Sequence, residues 1–98
     1  MPVVRLIYVT VSPQDTAEAE HVWKQDCAPL MIQQDGCLSE ELLRCSEAPG
    51  EYISYSEWRD QAAIDRYDGS PAHRQIEEHT KRLKVISPPV TKHYEVAG

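Results

Sequence analysis

Tyr52-Ile53-Ser54-Tyr55-Ser56-Glu57-Trp58-Arg59-Asp60-Gln61-Ala62-Ala63-Ile64-Asp65-Arg66-Tyr67-Asp68-Gly69-Ser70-Pro71-Ala72-His73 reads as a strand, a sharp entry into a helix, a break and a second helix start. Alternation from Tyr52 to Trp58 sets Tyr52, Ser54, Ser56 and Trp58 on one face of a pleated strand, with Ile53, Tyr55 and Glu57 on the other. After Trp58 the period changes from two to about 3.6. Asp60 is a good N-cap, since its carboxylate can accept from the unpaired N–H groups of the next turn. Ala63, Ile64 and Tyr67 share a helix face, and Asp68-Gly69 ends that helix. Ser70-Pro71 opens another, because proline lacks only an N–H that would go unpaired there. Four of the chain's seven aromatic residues, Tyr52, Tyr55, Trp58 and Tyr67, lie in this stretch, with His73 at its end.

Working outward, Val3 to Val11 is a β-rich run that is mostly apolar on both faces, so it is expected to be a central, doubly covered strand. Val4, Leu6, Tyr8 and Thr10 take one face; Val3, Arg5, Ile7, Val9 and Val11 take the other. Ser12-Pro13-Gln14-Asp15 starts a helix with a cap, a proline and an acid in the first turn. That helix presents Ala19, Val22, Trp23, Cys27, Leu30 and Met31 at helical spacing. Pro29 should kink or shorten it, and Asp35-Gly36 ends it. Cys37 to Glu47 is a second strand, where Glu40-Glu41 suggests an edge or a bulge. Ala48-Pro49-Gly50-Glu51 matches a type II turn, which predicts a hairpin between the second and third strands. The last helix carries Ala72, Ile76, His79 and Leu83 on one stripe until Ser87-Pro88-Pro89 breaks it. Val90 to Val96 is a fourth strand.

The 98 residues suit one domain, residues 1–98. The order β-α-β-β-α-β is the ferredoxin-like α+β plan, a four-stranded antiparallel sheet with its helices on one face. The other face would be bare, and Ile7, Val9 and Val11 are expected to need a cover. A second copy of the same sheet is the economical one, so a homodimer is expected. The net charge of −6 argues against nucleic acid, which calls for a basic stripe. No apolar run approaches the roughly 20 residues of a membrane span. No secretory pattern precedes the first strand, so a cytoplasmic location is expected. Cys27, Cys37 and Cys45 read as reduced thiols used as small apolar residues, with a redox or nucleophilic role as the alternative. The histidines lack HxH or HExxH spacing and no phosphate-binding glycine motif occurs, so no metal or cofactor is expected.

The Tyr55-Ser56-Glu57-Trp58 strand end, the Ala62-Ala63 helix start, Ser70-Pro71-Ala72-His73 and Asp35-Gly36-Cys37 together resemble the antibiotic biosynthesis monooxygenase family, a branch of the dimeric α/β-barrel superfamily. The resemblance covers nearly the whole chain. It implies two sheets paired into a barrel, with a pocket in each subunit between sheet and helices. It also implies a cofactor-independent monooxygenase that oxidises a small aromatic or quinol-type substrate with dioxygen. A base removes a phenolic proton, and the anion is electron-rich enough to react with dioxygen directly. In the haem-degrading branch, Tyr8 would stand at an Asn position, Tyr67 at a Trp position and Glu77 near a His position. All three depart from that branch's pattern, which argues against haem degradation.

Candidate catalytic residues are His73, Tyr67, Tyr8 and His79, with His73 or His79 as proton acceptor. Trp58, Trp23 and Tyr55 are candidates for contact with substrate. Six of them also have a plain packing role: His73 against Tyr67 or at the dimer edge, His79 as a hydrogen-bonded core histidine, Tyr8, Tyr67 and Trp58 as core aromatics, Trp23 as core. His21 and His93 read as surface residues. The alternative function is a dimeric module that binds a small apolar ligand or a partner without turning it over. A pocket too small for one aromatic ring would favour that reading.

Overall fold

The computed structural model describes Met1 to Gly98. Four strands, β1 (Val3–Thr10), β2 (Cys37–Arg44), β3 (Glu51–Trp58) and β4 (Val90–Glu95), form one antiparallel sheet in the order β2-β3-β1-β4. The α+β ferredoxin-like plan expected from the element order is the one observed. β1 lies inside the sheet, as its two apolar faces require, and β2 and β4 are the edges. Val11 falls just beyond β1 and bridges to Val85. The hairpin turn is the type II expected: Gly50 has φ +95° and Glu51 N–H donates to Ala48 C=O at 3.2 Å.

The register decides which face is covered. Val3 lies opposite Trp58, Arg5 opposite Ser56, Ile7 opposite Ser54 and Val9 opposite Tyr52. Directly opposed residues share a face. Trp58 and Tyr52 are 0% and 4% exposed, packed into the helical layer. The set Ile7, Val9 and Val11, expected to lie bare, therefore faces the helices. The open face is instead Val4, Leu6 and Tyr8 of β1, Ile53 and Tyr55 of β3, Leu43 of β2, and Val90 and Tyr94 of β4. Period-two alternation separates two faces without saying which one the helices cover.

Ser12 does not cap with its side chain. Its carbonyl accepts from Asp15 N–H at 2.8 Å and opens a 3₁₀ turn, Pro13–Asp15. Helix α1 (Thr16–Val22) widens into a π turn over Trp23–Cys27 before α2 (Ala28–Ile32). The cause is Pro29, which has no N–H for the carbonyl four residues back and whose ring crowds it. Helix α3 (Gln61–Asp68) is capped by Asp60, whose Oδ1 accepts from Ala63 N–H at 2.9 Å. Helix α4 (Pro71–Thr80) is capped by Ser70, whose Oγ accepts from His73 N–H at 3.2 Å. The expected stripe to Leu83 is cut short at Thr80. The chain is drawn off the helix axis where Val85 bridges Val11 and Ile86 N–H donates to Thr10 C=O at 2.8 Å. Leu83 still packs against both core clusters from the turn beyond.

The main core is Val3, Val22, Cys27, Met31, Trp58, Ala63, Ile64, Tyr67 and Ile76, and a smaller one is Val11, Ala19 and Tyr52. No helix is long and apolar enough to cross a membrane.

Candidate functional site

The helix-facing side of β3 runs Tyr52, Ser54, Ser56, Trp58, and each residue heads a row across the sheet. Arg44 and Tyr52 form the outermost row, Leu42, Ser54 and Ile7 the next, and Glu40, Ser56 and Arg5 the third. Cys37, Trp58 and Val3 close the end. Two serines between two large aromatics leave a low, polar floor.

Glu40 reaches this floor through an irregularity. The pairing of β2 with β3 slips by one residue between Cys37 and Ser39. Strict alternation from Cys37 would turn Glu40 to the open face. The extra residue at Leu38 reverses the phase, so that Cys37, Glu40 and Leu42 all lie under the helices. The edge-or-bulge reading of Glu40-Glu41 thus locates the right strand, and the bulge itself lies just before the two glutamates.

Beside the outermost row, a groove of about 540 Å³ is lined by Trp23, Leu42, Tyr52, Glu20 and Arg44 among others; Ser56, Trp58, Tyr67 and His73 are not part of its lining. Glu20 on α1 holds its rim. Arg44 donates to it through Nε at 2.9 Å and Nη2 at 2.6 Å, and Tyr52 Oη donates at 2.6 Å. These hydrogen bonds, Arg44 first, hold the Glu20 carboxyl down from its ordinary 4.5 to about 2. Tyr52 is pushed above the ordinary phenol range, mainly by burial and then by its bond to Glu20. A carboxyl whose folded pKa is depressed stabilises the fold at pH above its unfolded value, and that contribution fades as pH falls toward the folded value. Between pH 4.5 and about 2, wild type should therefore lose stability faster than Glu20→Gln, and the gap between them should shrink. Urea midpoints at stepped pH give the comparison, and parallel curves would refute it.

At the Trp58 end of the rows, Tyr67 stacks on Trp58 with ring centroids 5.1 Å apart and meets the His73 ring edge-on, also at 5.1 Å. Trp58 Nε1–H donates to Ser56 Oγ at 2.8 Å. Arg5 lies over the Tyr67 ring at 5.7 Å and donates through Nη1 to Asp68 Oδ1 at 2.9 Å. His73 Nδ1 is 3.3 Å from Glu77 Oε1, and its Nε2 is 3.9 Å from Asp68 Oδ1. Burial is the main cause that pushes the Tyr67 phenol far above its ordinary range, so it stays protonated and serves as a donor rather than a base.

Three of the seven sequence candidates, Trp58, Tyr67 and His73, come together here. Trp23 is half-buried at the groove. His79 sits at the end of α4, with Nδ1 3.9 Å from Asp26 Oδ2, away from this cluster. Tyr8 and Tyr55 lie on the opposite face of the sheet, so neither meets Tyr67 inside one subunit. Tyr8 is 37% exposed, with Lys92 Nζ 5.8 Å from its ring centre.

Sequence reading passed over Arg5, Glu40, Ser56, Glu20 and Arg44. The signal for Arg5 was present: it is the one charge in a strand apolar on both faces. Cys27 and Cys37 are free, and burial pushes both thiols up to about 11, which suits unreactive apolar filling. No three His, Cys, Asp or Glu side chains converge as metal ligands.

Residues 2–79 match the family model described as antibiotic biosynthesis monooxygenase. The fold is shared with a candidate antibiotic biosynthesis monooxygenase from Bordetella bronchiseptica (TM-score 0.86, 21% identity, 98% of this chain and 97% of that one). It is shared with SnoaB, a cofactor-independent oxygenase from Streptomyces nogalater (TM-score 0.82, 22% identity, 99% and 94%). Rv0793 from Mycobacterium tuberculosis is similar too (TM-score 0.81, 19% identity, 100% and 97%). No curated protein matches the sequence. At these identities the structural likeness establishes the fold.

Proposed function

The chain belongs to the antibiotic biosynthesis monooxygenase family, and from that membership we propose that it is a cofactor-independent monooxygenase oxidising a small aromatic or quinol-type substrate with dioxygen. The observation that supports the reading is the groove beside Trp23 and Tyr52, which lies on the same helix-facing side of the sheet as the Trp58, Tyr67 and His73 cluster but is not lined by it. Its volume of about 540 Å³ exceeds what one aromatic ring needs, so the small size that would favour the binding-only alternative is not what is found. The chemistry asks three things of the protein: apolar walls, a group that takes a phenolic proton, and donors for the anion. Trp23 supplies a wall in this reading, and Trp58 backs Tyr67 from the core. Tyr67 is a donor, and His73, flanked by Asp68 and Glu77, is a proton carrier at the cluster's outer edge. Oxygen uptake over a panel of hydroquinones and hydroxynaphthalenes tests it. Uptake that falls by at least about tenfold in Tyr67→Phe or His73→Ala is expected. Absence of uptake across the panel defeats the proposal.

The quaternary proposal is a homodimer, paired back to back through the open sheet face into a barrel, each copy one domain of residues 1–98. Tyr8, Leu43, Val90 and Tyr94 are 37%, 40%, 52% and 47% exposed on that face, and apolar side chains gathered on one surface favour a cover. Tyr8 and Tyr55 would then serve the interface. Sedimentation at micromolar protein should give a dimer for wild type and a monomer for Val90→Asp. A monomeric wild type would end this proposal.

A further inference from the structure

Two buried side-chain atoms in the molecule have no hydrogen-bond partner, Arg5 Nε and Glu40 Oε2. One is a donor and the other an acceptor. Both belong to a single row of the sheet, on either side of Ser56. A buried polar atom left unpaired forfeits its hydration without compensation, so two on one row call for a common reason.

The row sets them on either side of one small residue, Ser56. Neighbouring strands lie roughly 4.8 Å apart, so the backbones of Glu40 and Arg5 are separated by roughly 10 Å. The side chains at both ends of the row are long, and that of Ser56 between them is short. Arg5 is 11% exposed and gives only Nη1 to Asp68, which leaves Nε–H free. Glu40 was turned onto this face by the bulge at Leu38, and bulges beside active sites re-aim side chains in this way. Ser56 is held by Trp58, whose indole N–H it accepts.

We propose that Glu40 and Arg5 act as a pair on the ionisable hydroxyl of a phenolic substrate: Glu40 Oε2 takes the proton and Arg5 Nε–H holds the anion. The inference rests on the oxygenase reading for its substrate class. The substrate O–H bond breaks and an O–H bond forms on the carboxylate. The negative charge moves from Glu40 to the substrate oxygen, beside the guanidinium. Burial, helped by Glu41, raises the Glu40 carboxyl above the ordinary range, which brings it nearer to a phenol as a base. The other titratable groups around the row are Asp68 and Tyr67 of α3, Cys27 of the π turn, Cys37 of β2, and His93, opposite Arg5 in β4. His73 then exchanges the proton with solvent rather than taking it first.

The test uses 4-nitrophenol, whose anion alone absorbs visible light, on the full chain at a pH far enough below the ionisation of the free probe that almost all of it is neutral. Wild type should bind the probe as the anion while releasing almost no proton, because Glu40 keeps it. Glu40→Gln should still bind the anion and release about one proton per probe to the buffer, read by calorimetry in two buffers. Arg5→Met should return the bound probe to its neutral form, and Arg5→Lys should restore part of the anion. Circular dichroism establishes that each variant is folded. No binding to wild type, an anion undiminished in Arg5→Met, or equal proton release from wild type and Glu40→Gln would each overturn the pair. Wild type that binds the anion as described yet consumes no oxygen with any hydroquinone leaves the pair standing and defeats the oxygenase reading. Where oxygen is consumed, Glu40→Gln should reduce it by about 100-fold or more.

Discussion

Trp58→Ala should cost about 3–5 kcal/mol, the largest stability loss expected from any single side chain here. Trp58 is 0% exposed, stacks on Tyr67 and packs among Val3, Cys27, Met31 and Ile64 in the main core. Alanine removes the whole ring, and a core built on both strands and helices cannot collapse to fill the space. The loss has a second part. The indole N–H no longer reaches Ser56, which is 3% exposed and has that bond as its side-chain partner. In a chain of this length each kcal/mol lowers the melting temperature by about 4–8 °C, so the variant should be partly unfolded near body temperature. Urea titration followed by far-UV circular dichroism measures the loss. A cost under about 1 kcal/mol would mean that Trp58 packs elsewhere. Trp58→Phe keeps most of the ring but not the donor. It should recover most of the stability and expose what the Ser56 bond contributes.

Gly50→Ala should cost about 2–5 kcal/mol, for a different reason. Gly50 has φ +95°, a conformation that L side chains rarely adopt. A methyl group there would also run into the backbone carbonyl of Val11, which cannot move aside as a flexible side chain could. Val11 N–H donates to Gly50 C=O at 2.8 Å, so the two backbones are tied together where they would clash. Gly69→Ala is the internal control. Its φ is −91°, and an added methyl group meets nothing nearer than 3.8 Å. Melting temperatures of the two variants should separate by at least about 10 °C. Equal values would show that the β2-β3 turn relaxes freely and that its type II geometry matters little.

Much of the fold was legible because its signals are local. Asp60 and Ser70 cap the helices they were expected to cap, and Pro49-Gly50 makes the turn it was expected to make. Where local signals competed with distant pairing, pairing won. Helix α4 stops at Thr80 because Val85 and Ile86 are held by the end of β1. The Ser12 side chain goes unused because its backbone carbonyl takes the turn's hydrogen bond instead. The candidate site was legible in part for the same reason. Trp58, Tyr67 and His73 are near neighbours in sequence on linked elements, and they meet. Tyr8 and Tyr55 were grouped with them by chemistry alone and lie across the sheet.

The order of elements, their caps and turns, the family and the separation of each strand into two faces all follow from residues within a few positions of one another. Chain geometry repeats at short range, so neighbours in sequence suffice to set these features. Which face the helices cover, and which charges end up beneath them, was settled only in three dimensions. Arg5, Glu40 and Ser56 are brought into one row by strand pairing and by a one-residue slip at Leu38. No local period encodes that slip, since it exists only where two strands are aligned against each other.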